Sequence, residues 1–398
     1  MSLARLIRKK SLTVLGLNSG TSADGVDMAL VTVSRAVRRL QVRFLEGAER
    51  RFPRALKSRI LDLARRETLD VAALLALDSE LGEFFGRTAT AFIARTGHPI
   101  DLIASHGQTV RHLPRQLSLA GKRLSATLQL GNIDRIAART GCVTVGDVRQ
   151  ADIAIGGEGA PITVAAMARL FGDSRESRLI VNLGGVANYF YIPAGSRFER
   201  LAAADCGPGN MLIDALAARL YQQPYDRNGA LARHGAIYEP IVRELLRFVN
   251  FSRRGHRSAG REEFGEPLLN RLLTLGNQQT LTDPDLIATA SEVTVRSIVR
   301  CLMPFVRANT VLTKLYLTGG GAHNKFIRDR LSTHLPMLSI VPIDTLGLPA
   351  GLVEAAAFAV LGEAALRSEA LPTRFDGNAR QSRWPVSGRI AQPPVKQR

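Results

Sequence analysis

The stretch Leu12-Thr13-Val14-Leu15-Gly16-Leu17-Asn18-Ser19-Gly20-Thr21-Ser22-Ala23-Asp24-Gly25-Val26-Asp27-Met28-Ala29-Leu30-Val31-Thr32-Val33 decides how the chain is read. Its two apolar runs, 12–17 and 28–33, read as short strands. The polar, Gly-rich segment between them contains Asp24-Gly25, a strong turn signal. The same order returns at 179–192: a strand over Leu179–Asn182, a turn at Gly184-Gly185, and a strand over Asn188–Ile192. The echo is one of architecture rather than of letters. A chain of 398 residues that begins twice in this way suits two domains.

The remaining pattern alternates strands and helices. Residues 41–45 read as a third strand. Pro53 opens a helix with Leu56, Ile60 and Leu63 on one face, and a second helix carries Leu74, Leu77, Leu81, Phe84, Phe85, Thr88 and Phe92 until Gly97 ends it. Residues 102–105 and 127–130 read as buried strands, and 163–170 as a helix leading out of this half. Beyond the echo, helices are expected at 211–221, 239–248 and 292–305, a strand at 315–318, and a last helix at 351–366. The tail after Leu371 reads as irregular. The expected fold class is α/β, in two similar lobes with a ligand between them where Gly turns from both sheets converge. The first lobe is expected over 1–172 with a C-terminal return over 352–398, the second over 173–351.

Composition narrows the function classes. Hydrophobic residues at 45% and charged residues at 22% are ordinary for a globular protein. Cys142, Cys206 and Cys301 form no C-x-x-C pair, so a reducing compartment is expected, with neither a disulfide framework nor a zinc site. The basic start followed by a short run containing Thr13 and Gly16 reads as an opening strand, not a signal peptide. No stretch reaches the length of a membrane span, and the cytoplasm is the expected location. The net charge of +18 comes mostly from arginine, with groups such as Arg35, Arg38, Arg39 and Arg43, or Arg253, Arg254 and Arg257. No aromatic interleaving accompanies them, so the charge reads as a solvated face rather than a nucleic-acid surface.

Four Gly-rich turns follow expected strands. In the first, Gly20, Thr21, Ser22, Ala23, Asp24, Gly25, Val26 and Asp27 offer backbone N–H groups and hydroxyls to phosphate oxygens. Asp24 or Asp27 offers a carboxylate to Mg²⁺. A plain polar hairpin turn explains the same letters, and the segment is not a Walker A loop. The others are Asn182 to Asn188 with Gly184 and Gly185, Asp205 to Asn210 with Gly207 and Gly209, and Gly319-Gly320-Gly321 running to Asn324. Each is weak singly; four in this arrangement point to a nucleotide. Asp152 sits in an apolar stretch before Gly156-Gly157 and is a candidate general base, with a helix or turn cap as the alternative. Ser105-His106-Gly107-Gln108-Thr109 ends a strand with polar groups suited to sugar recognition. His106 and His112 make no metal motif, and no G-x-S-x-G elbow occurs.

The ordered set S-G-T-S-A-D-G-V-D (19–27), S-H-G-Q-T-V-R-H (105–112), T-L-Q-L-G-N (127–132), G-G-E-G-A-P (156–161), N-L-G-G-V-A-N (182–188), D-C-G-P-G-N (205–210), Y-D-R-N-G (225–229), S-A-G-R-E-E-F (258–264), L-T-G-G-G-A-H-N (317–324) and E-A-A-A-F-A (354–359) resembles the anhydro-N-acetylmuramic acid kinases over Leu12 to about Glu363. That family belongs to the actin/hexokinase/heat-shock-protein type, with ribonuclease H-like lobes. The resemblance implies that ATP and water convert 1,6-anhydro-N-acetylmuramate into N-acetylmuramate 6-phosphate in cell-wall sugar recycling. It also implies that Gly20 to Asp27 is the ATP-phosphate loop, that Asp152 activates the water, and that Glu354 lies near the sugar. The expected site therefore has Asp152 and Glu354 as catalytic residues. His106, Gln108 and Thr109 meet the substrate. Gly20–Asp27, Gly184, Gly185, Asn188, Gly207, Gly209, Asn210, Gly319, Gly320, Gly321 and Asn324 meet ATP, and Asp24 meets Mg²⁺.

Expected partners are an amino sugar and ATP, with no nucleic acid and no membrane; a homodimer stays open. Against the family pattern, Asn18 stands for a usual Met, Glu158 for Gln and Gly351 for Asp, and residues 373–379 replace a shorter turn. A kinase for another sugar and a non-catalytic nucleotide switch are the competing readings. Turnover of ATP with sugar separates the switch from either kinase.

Overall fold

A computed structural model of the chain describes residues 3–20, 22–36, 39–66, 68–119, 121–195, 198–249, 264–309, 311–373 and 384–394. Thr21, the arginines at 253, 254 and 257, most of the 258–264 motif and residues 374–379 lie outside the described residues. The chain divides into two compact units, one of residues 1–170 with the return from Leu352, the other of residues 171–351.

The first unit opens with a short helix, α1 (Leu3–Arg8), which the sequence reading did not anticipate. There follow β1 (Ser11–Ser19), β2 (Gly25–Ala36), β3 (Arg39–Arg51), α2 (Arg54–Arg65) and α3 (Val71–Thr96). Next come β4 (Leu102–Leu119), β5 (Lys122–Leu130), α4 (Ile133–Thr140), β6 (Val143–Gly146), α5 (Gln150–Ala154) and α6 (Val164–Phe171). β1 and β2 pair antiparallel with Leu17 opposite Met28, so the quoted opening stretch is indeed a hairpin. The sheet runs β12-β6-β4-β1-β2-β3, with β5 paired to β4 and the late strand β12 (Arg389–Ala391) on the edge. β4 lies parallel to both β1 and β6.

Capping explains the helix ends. Asp70 accepts the Ala72 N–H at the start of α3, and Gly97 closes it in the left-handed region at φ 67°. α3 and α2 bury Leu77, Leu81, Phe84, Phe85, Leu56 and Ile60 against one face of the sheet. The other face receives a helix from the C-terminal return, Val353–Leu366 (α12 in chain order). It is buried nearly all round, the mark of a core helix rather than a surface one. Its approach requires Gly16 in β1, because a Cβ there would stand 1.8 Å from the Ala355 carbonyl oxygen. Glu354 sits in the first turn of this helix.

β4 departs furthest from its expected extent, though β2, β3 and β5 also run longer than expected. Ser105 to Thr109 do not end β4; the strand continues to Leu119 as a ribbon paired with β5, with Gly107 at φ 75° where the register shifts. The polar, basic letters beyond His106 hid it, since a ribbon with little core to face carries no apolar run.

The second unit contains β7 (Arg178–Leu183), β8 (Ala187–Ile192), β9 (Ala202–Gly207), α7 (Met211–Tyr221), α8 (Glu239–Phe248) and α9 (Glu266–Gln278). It continues with α10 (Asp283–Ala308), β10 (Lys314–Thr318), α11 (Lys325–His334) and β11 (Ser339–Pro342). α10 begins at a Thr282–Asp285 capping box, ten residues earlier than the apolar pattern near Glu292 suggests. The sheet order is β11-β10-β7-β8-β9, with β7-β8-β9 an antiparallel meander and β10 and β11 parallel to β7. The first unit repeats this order as β6-β4-β1-β2-β3. Both units therefore carry the ribonuclease H-like strand arrangement, and the expected pair of similar α/β lobes is what the chain forms.

Candidate functional site

In the first unit the chemistry gathers where β1, β4 and β6 end or bend, together with α5 and the first turn of α12. Asn18, at the end of β1, is buried and donates through Nδ2 to Glu354 Oε2 at 3.0 Å. It also hydrogen-bonds Asp27, whose carboxyl rises to about 7 through burial first, then the nearby charges of Glu49 and Glu354. Glu354 is itself exposed, so the desolvation that raises its carboxyl, opposed by Asn18 and Arg149, is partly screened.

Asp152 lies inside the one-turn α5 and is 3% exposed. Its Oδ2 accepts the Gly159 N–H at 2.8 Å, and its Oδ1 accepts the Thr373 hydroxyl. Gly157 is shaped to it: a Cβ there would meet the carboxylate oxygen at 2.0 Å. Asp152 is not the cap of α5, a position held by Arg149 without a side-chain bond. Its carboxylate instead gathers the following loop. Arg149 lies beside it, donating through Nη1 to the Gly159 carbonyl at 2.6 Å and through Nε to His106 Nε2 at 3.0 Å. Burial lowers Arg149 to about 10 against the pull of Glu354 and Asp152, so it stays a cation near neutrality.

The three expected sugar contacts have separate surroundings. His106 is buried, holds Arg149, and stacks on Phe358 at 4.5 Å. Gln108 is buried, lies 2.6 Å from the Ser19 hydroxyl, and donates to the Gly20 carbonyl at 3.2 Å, bracing the first Gly loop. Thr109 accepts from Gln129 at 3.1 Å. A cavity of about 360 Å³ opens along Ser105, His106, Gly107, Gln129, Asn132 and Asp147.

In the loop before β2, Ala23 is buried in the core, as is Val26 at the start of β2, while Ser22 and Asp24 are exposed. Asp24 pairs with Lys57. Burial pushes its carboxyl up, but hydrogen bonds from Lys57 and Ser22 outweigh this and hold it below the usual range.

The second unit builds its loops from backbone and amides. The Asn210 and Met211 N–H groups donate to the carbonyls of Gly184 and Gly185, at 2.9 and 3.1 Å. Asn210 Nδ2 donates to the Leu183 carbonyl at 2.8 Å, and Thr294 of α10 donates to that of Gly209 at 2.8 Å. The loops at 184–188, 207–210 and 319–324 thus meet at the ends of β7, β9 and β10. Asn324 caps α11 by accepting the Ile327 N–H at 3.1 Å. Among the described residues, the buried Asn188 Oδ1 has no hydrogen-bond partner.

The glycines sort into two kinds. Gly209 and Gly319 have φ of 55° and 79°, and a Cβ on either would strike oxygen at 2.4 or 2.3 Å. Among the described residues, Gly20 and Gly320 have room for a Cβ, with nothing nearer than 4.0 Å and no left-handed φ. The fold therefore does not require glycine at those two positions. Sequence reasoning gave Arg149 no role, since one arginine among many carries no mark; its buried neighbours, not its letter, distinguish it.

A sequence model of anhydro-N-acetylmuramic acid kinase matches residues 12–388. A protein of that name from Salinibacter ruber is 36% identical over 368 residues, covering 92% of this chain and 93% of its own. One from Saccharophagus degradans is 36% identical over 390 residues, covering 97% and 100%. One from Caldanaerobacter subterraneus is 34% identical over 364 residues, covering 90% and 92%. With this similarity running through both units and every loop described above, the chain belongs to the anhydro-N-acetylmuramic acid kinase family.

Proposed function

We propose that Asp152 is the base of an ATP-dependent kinase reaction on 1,6-anhydro-N-acetylmuramic acid. Water attacks the anomeric carbon and gives a proton to Asp152. The bond from that carbon to the bridging oxygen breaks, and the freed O6 takes the γ-phosphoryl group of ATP. The products are N-acetylmuramate 6-phosphate and ADP. The observation that carries this reading is the buried Asp152 carboxylate, oriented by the Gly159 N–H and the Thr373 hydroxyl. Each bond leaves a lone pair on its oxygen for water. Glu354, bonded to Asn18, serves the sugar side. Sugar contacts are assigned to His106, Gln108 and Thr109.

Phosphate contacts are assigned to the Gly20–Asp27 loop. Further nucleotide contacts are assigned to Gly184, Gly185, Asn188, Gly207, Gly209, Asn210, Gly319, Gly320, Gly321 and Asn324. Among the described residues no group of three or more His, Cys, Asp or Glu side chains could hold a metal ion. We assign Mg²⁺ mainly to phosphate and water, with Asp24 as its protein carboxylate. When bound, the ion would neutralise phosphate charge. We place the reaction in the cytoplasm, where ATP is supplied and where Cys142, Cys206 and Cys301 persist as free thiols. No helix of the described residues is long and apolar enough to cross a membrane.

The test is Asp152→Asn, which keeps the shape and removes the base. Turnover should fall by ~10²-fold or more while ATP affinity holds. Near-wild-type turnover in the folded variant would take Asp152 out of the mechanism.

A further inference from the structure

Three contacts in the first unit join Asp152, Gly159, Arg149 and His106 into one chain. The Asp152 carboxylate holds the Gly159 N–H at 2.8 Å. The carbonyl of the same Gly159 accepts Arg149 Nη1 at 2.6 Å. Arg149 Nε then donates to His106 Nε2 at 3.0 Å. The His106 ring lies on Phe358 with centroids 4.5 Å apart and planes at 23°. Phe358 is one helical turn beyond Glu354 on α12.

We propose that Arg149 is a positioning residue: its guanidinium clamps the loop around Asp152 to His106, and so fixes the carboxylate relative to the helix that carries Glu354. This rests on the reading of Asp152 as the base. A guanidinium suits the task because its planar fork presents N–H groups in two fixed directions, here a carbonyl and an imidazole nitrogen. An ammonium has the charge without that fork.

The clamp also dictates the state of His106. A nitrogen that accepts from Arg149 carries no proton, so the ring is neutral with its proton on Nδ1. Burial first, and the Arg149 charge second, hold this imidazole well below its usual range, in agreement with the geometry. The flat face of the ring, stacked on Phe358, is then a fixed abutment for the arginine. A loosened clamp would let the Gly157–Gly159 loop shift, and a base displaced by about 1 Å loses ~10²-fold in rate.

Two measurements do not depend on turnover. In wild-type protein with ¹⁵N-labelled histidine, His106 should show an unprotonated Nε2 and a protonated Nδ1 at neutral pH. A proton found on Nε2 overturns the proposal without any variant being made. In Arg149→Lys, the Gly159 amide should exchange with solvent ~10-fold faster or more, while amides of the second unit keep their wild-type rates. kcat should fall by ~10- to 100-fold with KM for ATP changed less than about two-fold, the split expected when a reacting group is misplaced but nucleotide binding is not.

Wild-type Gly159 exchange and kcat in Arg149→Lys would also overturn the clamp. Asp152→Asn separates the two readings. If it keeps turnover, the base assignment fails, while Gly159 exchange in Arg149→Lys still decides whether Arg149 holds the loop.

Discussion

The two units share one strand order but furnish it differently. Where the strands of the first unit end or bend, and on the helices beside them, stand ionisable side chains: Asp27, His106, Arg149, Asp152 and, from α12, Glu354. At the corresponding ends of the second stand glycines and neutral amides: Gly184, Gly185, Asn210 and Gly319 to Gly321. The first arrangement perturbs protonation, as the rise of Asp27 to about 7 and the fall of Arg149 to about 10 show. The second offers backbone N–H groups and carboxamides without fixed charge, a surface suited to phosphate oxygens. On the function proposed above, one copy of the frame carries acid–base chemistry and the other, with Asp205 and Asp214 set beside its glycine loops, holds phosphate mainly through backbone and amides. The opening hairpin of the first unit does both, since it has a Gly loop and also carries Asp24.

That contrast breaks most visibly at glycine. Gly20→Val and Gly320→Ala each place a Cβ where the described residues leave space, so Gly320→Ala should unfold at the wild-type temperature and Gly20→Val close to it. If backbone approach to ATP is why glycine stands there, each should weaken ATP binding, Gly20→Val by about tenfold or more. Gly209→Ala is the control, because its φ of 55° and a 2.4 Å clash with the Gly184 carbonyl make glycine a requirement of the fold. It should cost ~1–3 kcal/mol of stability. Calorimetric titration with ATP beside thermal unfolding separates the classes. Unchanged ATP affinity in folded Gly20→Val removes that loop from the phosphate site.

A smaller effect compares one carboxylate from each unit. Asp27 rises to about 7 through burial, then Glu49 and Glu354; Asp214 of α7 rises to about 7 through burial, then Asp226. Both hold a proton in the folded chain that the unfolded chain, near pH 3.9, has released. Their stabilising contribution is therefore complete below the unfolded value and is lost as pH rises through about 7. Asp27→Asn and Asp214→Asn should each raise the unfolding midpoint at pH 8 relative to wild type, with the advantage shrinking toward pH 5. An advantage that does not vary with pH would show that neither carboxyl titrates in this range. If Asp27 serves catalysis, only its variant should also alter the pH profile of turnover.

The sequence revealed the frame better than the site. The β1–β2 hairpin, its echo at β7–β8, and helices such as α3 with its Gly97 stop were legible because apolar period and turn chemistry are local signals. The 18-residue β4 was not, since its outer half faces little core. Asp152 was legible because an acid in an apolar stretch before Gly156-Gly157 is unusual. Arg149 was not, because its importance comes from His106, 43 residues earlier, and from a folded-back carbonyl at Gly159. Likewise the letters gave no sign that the Gln108 amide also reaches the Gly20 carbonyl. Long-range hydrogen bonds leave no period in the letters.

The smallest expected effect concerns the ion pair of the opening hairpin, where the two units differ most simply. The β7–β8 turn, Gly184-Gly185-Val186, has no ionisable side chain, whereas the β1–β2 loop pairs Asp24 with Lys57. The side chains of the pair are 67% and 38% exposed, so it should contribute less than about 1 kcal/mol to folding. Lys57→Met should therefore leave the unfolding midpoint nearly unchanged. Its informative consequence is at the metal. If Asp24 is the carboxylate that holds Mg²⁺, Lys57 competes with the ion for it, and removing Lys57 should lower the Mg²⁺ concentration needed for half-maximal turnover by a few-fold, ~0.5–1 kcal/mol. If Lys57 instead meets the phosphates of ATP, the same variant should raise KM for ATP and leave the Mg²⁺ requirement alone. Titrating Mg²⁺ at saturating ATP, then ATP at saturating Mg²⁺, distinguishes these. A variant indifferent to both would make the Asp24–Lys57 pair a surface contact and leave the Gly20 backbone as the loop's means of holding phosphate.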